Sequence, residues 1–166
     1  MTPVDPAREK VERADALVRE LQEPVIDDPT VFVKGAALGA LTVVALADLT
    51  ASRSQDAALR GLVGRVRDNQ QALLKELTRI AGRKRLDVPD ALIYEDERML
   101  ASPPADSGDD FDRWALRRTD IELLKAMALF GAASNMKDPE LAAFAKRTLP
   151  TLEADRDTVL RQVPAE

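Results

Sequence analysis

The chain has 166 residues, 45% hydrophobic and 32% charged, with a net charge of −5. That length and balance suit one globular domain with a real core and exclude a disordered chain. It has no cysteine and no histidine, which removes disulfides, thiolate metal sites, and the commonest metal ligand and general base near neutral pH.

The first segment, "MTPVDPAREKVERADALVREL", is polar and amphipathic. Asp5 can cap a helix with Pro6 at its first position, running to about Gln22. Val11, Ala14, Leu17 and Leu21 form its apolar stripe. No export signal or anchor is visible there. "EPVIDDPT" then breaks the chain.

A second helix is expected from about Val31 to Arg53. It holds "VFVKGAALGALTVVALADL", whose run from Gly35 to Ala47 carries no charge. Thirteen residues of helix are about 20 Å long, short of a bilayer core of roughly 30 Å, so no membrane span is expected. Val33, Ala36, Ala40, Val43 and Ala47 form one stripe. Leu38, Leu41, Ala45 and Leu49 form another on roughly the opposite side. A helix apolar all round is buried all round. The N-terminal helix is expected to cover the second stripe, with a second subunit as the alternative.

A third helix spans about Asp56 to Arg83, with Leu59, Leu62, Val66, Leu73, Leu77 and Ile80 on one face. Arg83, Lys84 and Arg85 close it, where cations meet the negative end of the dipole. This is the densest basic cluster, too small for a nucleic-acid footprint. Asp87 and Pro89 are expected to start a short fourth helix through "PDALIYEDERMLA". "SPPADSGDD" reads as a loop. A fifth helix is expected from about Phe111 to Asn135, capped by Asp109 or Asp110. The acidic "DSGDDFD" lacks EF-hand spacing and its closing Glu. Asp138 and Pro139 open a sixth helix to about Gln162, which Pro150 should kink or split.

No strand pattern appears. Two helical hairpins joined by a long crossover imply an all-α fold, a ferritin-like four-helix bundle with an extra N-terminal helix. The whole chain reads as one domain, with the N-terminal helix in residues 1–23 and the bundle in 31–163.

Four stretches carry a family likeness: "FVKGAALGALTVVALADLTA", "LRGLVGRVRDNQQALLKELTRIAGRKRLDVP", "FDRWALRRTDIELLKAMALF" and "ELAAFAKRTLPTLEADRDTVL". In this order they resemble the bacterial domain-of-unknown-function family 4142. The resemblance implies a ferritin-like bundle, and export to the periplasm or envelope. The chain as numbered reads as cytoplasmic; a removed signal would reconcile the two. The resemblance also implies one polar residue per main helix near the bundle centre, a Glu on the first and a His on each of the others. The aligned residues here are Val43, Gln70, Leu123 and Asp155. Val and Leu donate no electron pair, and Gln70 with Asp155 is too few for a transition metal. The family's central site is therefore expected to be lost.

Helical spacing turns Gln70, Asp120 and Asp155 toward the core, a candidate buried polar cluster in which Gln70 could donate to a carboxylate. "RWALRR" places Arg113 with Arg117, and Trp114 with Arg118, on shared faces. With no nucleophile–base pair and no phosphate loop, no catalytic, cofactor-binding or metal-ligating residue and no cofactor are expected. The reading is a non-catalytic structural or interaction protein, self-associating or binding another protein. The alternative is a bundle that binds a ligand or cation through interior carboxylate and amide groups.

Overall fold

The computed structural model describes residues 26–106 and 108–163. Among these, five helices form and no strand does: α1 (Pro29–Arg53), α2 (Ala57–Arg83), α3 (Tyr94–Leu100), α4 (Asp109–Ala133) and α5 (Pro139–Gln162). The expected N-terminal helix, and the cover it would give α1, lie outside the described residues.

Local chemistry sets most of the boundaries. Asp28 accepts from the Thr30 N–H at 2.9 Å with Pro29 in the first turn of α1. Asp56 caps α2 through the Ala58 and Leu59 N–H groups. Asp138 caps α5 through Glu140 and Leu141, again ahead of a proline. Each side chain satisfies N–H groups that have no partner inside the helix. At α4 the cap differs from expectation. Gly108 holds the cap position, while Asp109, Asp110 and Asp112 lie inside the first turn. There they face the positive end of the helix dipole instead of capping it.

The far end of α2 is a Schellman turn. The Leu86 N–H reaches the Ala81 carbonyl at 2.9 Å and the Arg85 N–H reaches Gly82 at 3.2 Å. Arg85 takes the left-handed conformation at φ 56°, a place usually given to glycine. Leu86 packs on the core behind it. Lys84 reaches Asp138 at 2.9 Å and Glu140 at 3.4 Å, fastening this end of α2 to the start of α5.

Helix α1 packs on α2 and α4, and α5 packs on α4 and α2. Phe32, early in α1, stacks edge-on against Phe130, late in α4, at 5.2 Å. So α1 and α4 run antiparallel. The segment 84–108 must travel the length of the bundle, from the end of α2 to the start of α4. That is the ferritin-like connectivity of two hairpins and one crossover. Its far end is held by Arg53, which donates to the Pro104 carbonyl at 2.8 Å and lies over the Phe111 ring at 4.3 Å.

The crossover departs from expectation. Residues 87–93 are not helical, and only Tyr94–Leu100 forms α3. Val88 precedes Pro89, which disfavours helical backbone at that position. Leu86 and Val88 instead serve as apolar anchors against the core. α3 has no fully buried residue that would extend it. Helix α5 is not split at Pro150: it continues through it, and Pro150 is exposed.

The stretch from Gly35 to Ala47 lies within a 25-residue helix, roughly 37 Å long at 1.5 Å per residue. Length and composition alone would let α1 cross a membrane. In the structure the helix packs within the bundle. Phe32, Val33, Ala36, Ala40, Val43 and Ala47 are buried in the common core. Leu38, Leu41, Ala45 and Leu49 are half-buried.

Candidate functional site

Val43, Gln70, Leu123 and Asp155 are all buried, one from each long helix, at 1%, 2%, 0% and 9% exposure. The periodicity that turned them inward holds. Gln70, Asp120 and Asp155, however, form no hydrogen bond with one another among the described residues.

Asp155 is met from α2 by Asn69, not Gln70. The Asn69 amide donates to both carboxylate oxygens, at 3.0 and 3.2 Å. Burial pushes the Asp155 carboxyl above its ordinary value, opposed by the Asn69 bonds and by the Arg65 charge. The raised value means that the folded protein holds this proton more tightly than the unfolded chain does. Ionised Asp155 therefore costs stability at neutral pH, and stability is regained as pH falls through the raised folded value. Asp155→Asn is expected to melt at the same temperature as the parent or higher at pH 7. The gap should close as pH approaches about 4. Urea midpoints at both pH values test this, and a variant markedly weaker at pH 7 would contradict it.

Asp120 is only half-buried and takes the Arg156 Nε–H at 2.7 Å, tying α4 to α5. Gln70 has no hydrogen-bond partner among the described residues. It borders a cleft of about 230 Å3 between α1 and α4, beneath the start of α3. Gly35 and Gly39 of α1 and Ala126 and Leu129 of α4 form much of the wall. A Cβ at Gly35 would stand 3.1 Å from Leu129, whereas one at Gly39 would meet nothing within 4 Å. The cleft is thus open over Gly39.

Four polar side chains border this cleft with Gln70: Thr42, Asp96, Glu122 and Lys125. The Thr42 hydroxyl lies 2.9 Å from the Leu38 carbonyl and 3.1 Å from Asp96 Oδ2, and can donate its one proton to either. Asp96 has no cationic partner among the described residues. Glu122, only 5% exposed, is paired with Arg118 at 3.1 Å and Lys125 at 3.3 Å. Sequence reasoning passed over Glu122 and Asn69. For Glu122 a signal existed: basic residues four before and three after it, both on its own face.

The "RWALRR" segment forms a different surface. Trp114 and Arg118 border two adjoining hollows. Arg113, Arg117 and Ile121 continue one hollow, and Tyr94, Arg98 and Met99 the other. Trp114 lies 5.9 Å from the Phe111 ring, and Arg98 sits 5.7 Å from the Tyr94 ring. No group of three or more potential metal-ligating side chains occurs among the described residues.

Against known families, the model of one described as a domain of unknown function (DUF4142) matches residues 16–161. No curated protein and no solved structure matches the chain.

Proposed function

This chain belongs to the DUF4142 family, and from that premise we propose that it is a non-catalytic helical-bundle protein acting through protein interaction, with the family's central polar or metal-type site lost. The observation that carries the reading is the Trp114 face. A half-buried tryptophan lies between two hollows and is flanked by arginines and a tyrosine 67% exposed. Trp, Tyr and Arg are the residues that dominate binding energy at protein interfaces. Hydrocarbon at Val43 and Leu123 supports the loss of the central site, since two of its four positions carry no ligand atom.

Self-association is the version of this reading to test. Light scattering at micromolar concentration is expected to give a dimer, and Trp114→Ala should weaken it by about tenfold or more. A parent protein that stays monomeric, or a dimer indifferent to Trp114→Ala, overturns it. Metal analysis tests the lost site separately: one equivalent of transition metal in protein purified without added metal would refute that part. A second reading, a bundle that binds a ligand through interior amide and carboxylate groups, draws support from Gln70 at the α1–α4 cleft.

A further inference from the structure

Gln70 borders a cleft, and although the residue as a whole is only 2% exposed, its carboxamide makes no hydrogen bond within the described residues. Its nitrogen and oxygen are not among the enclosed side-chain atoms left without a partner, which are Arg67 Nε, Asp112 Oδ1 and Arg118 Nε, so they open onto the cleft. A polar group with no protein partner is satisfied by what occupies the space beside it. The amide therefore marks the inner end of the cleft as a place where a hydrogen-bonding molecule is stabilised.

The remaining wall defines that molecule. Glycine, alanine and leucine of α1 and α4 line the cleft, so the body of the ligand is aliphatic. The volume, about 230 Å3, falls below the roughly 300–1,000 Å3 of drug-sized sites, so the ligand is small. The charges decide its sign. Glu122 is paired with Arg118 and with Lys125, whose exposed ammonium also borders the cleft, so the wall carries two carboxylates, Asp96 and Glu122, and one ammonium. Asp96 is left as the one carboxylate at the cleft with no cationic partner among the described residues. It receives only the Thr42 hydroxyl, at 3.1 Å. The cleft thus favours a cation over an anion.

We propose that the α1–α4 cleft binds a small aliphatic amino alcohol, its ammonium at Asp96, its hydrocarbon chain along Gly39 and Leu129, and its hydroxyl at the Gln70 carboxamide. A hydroxyl suits Gln70 because it both donates and accepts, as the amide does. A diamine is disfavoured, because its second ammonium would be desolvated beside a neutral amide. The proposal rests on the second reading above and is independent of the Trp114 face.

Calorimetric titration of the full chain with aminopentanol, pentylamine and pentanoate tests it. Aminopentanol is expected to bind saturably, with pentanoate weaker by about tenfold or more. Asp96→Asn should erase the preference for amine over acid. Gln70→Leu should bring aminopentanol down to the level of pentylamine while leaving the fold intact. Gly39→Leu should fill the cleft and abolish binding without lowering the melting temperature, since a side chain there enters open space. No saturable heat with either amine up to about 10 mM, pentanoate binding as well as the amines, or unchanged binding in Gly39→Leu would each overturn the proposal. A failed titration leaves self-association through Trp114 untouched, so the two readings fail separately.

Discussion

Phe144→Ala is expected to lower stability by about 3–5 kcal/mol, the usual cost of deleting a buried phenyl ring. Phe144 is fully buried on α5. Its ring stands 6.3 Å from Phe32 of α1 and 5.7 Å from Phe130 of α4, and those two rings are 5.2 Å apart. The three rings meet at angles of 56° to 77°, the tilted and edge-on geometries that add to simple burial. One truncation therefore opens a cavity touching three of the four long helices. Whole domains are stable by only about 5–15 kcal/mol, so the variant should sit near its unfolding threshold. Thermal unfolding followed by circular dichroism should show a drop of roughly 10 °C or more. Phe144→Leu should lose much less, because most of the volume remains. A loss under about 1 kcal/mol for the alanine variant would contradict this packing.

Val43→Glu puts a carboxylate where the family resemblance expects one. It is expected to destabilise the fold by about 3 kcal/mol or more at pH 7. Val43 is 1% exposed in an apolar cluster, and the positions that would share a ligand with it include Leu123, which offers no donor. The new carboxyl should have a raised value in the folded state, because burial disfavours its charge. The penalty should therefore shrink as pH falls through that raised value towards the ordinary glutamate value of about 4.3, below which folded and unfolded chains are both protonated. Urea titrations at pH 7 and near pH 5 test both the size and the sign. Val43→Leu serves as the control for added volume. A glutamate tolerated at pH 7 would mean that the centre of the bundle is polar after all.

Both predictions use features of very different legibility. The inward position of Val43 was readable from spacing, because a helix turns its residues by a fixed angle and each stripe has only one buried side. Asp56 and Asp138 were readable as caps for the same local reason: a short carboxylate reaches N–H groups two and three residues on. The aromatic trio was not readable. Phe32, Phe130 and Phe144 lie on three different helices, and nothing in the spacing within one helix says which ring on another it will meet.

Asp155 shows the same limit within the candidate site. Its burial followed from its place beside Leu152 and Val159. Its partner did not: Gln70 and Asn69 are adjacent on α2, about 100° apart around the helix. The rotation of α2 against α5 turns Asn69 to the carboxylate and leaves Gln70 for the cleft between α1 and α4. Asp120 was likewise placed inward by spacing, yet a position near the edge of a stripe can lean out, and Arg156 holds it there.

The sequence by itself determined that this chain is helical, roughly where its long helices start (though not the cap of α4), which faces they bury, and that hydrocarbon occupies Val43 and Leu123. These depend on contacts within a few residues and on the helical period. Only the tertiary structure decided that α1 is a packed bundle helix, although its length and composition would also suit a membrane. It likewise decided which side chains became partners, and that Asp96 of the crossover lies over Thr42 beside a cleft bordered by Gln70. Those outcomes depend on how whole helices rotate and approach, which the sum of many weak contacts fixes and no local pattern encodes.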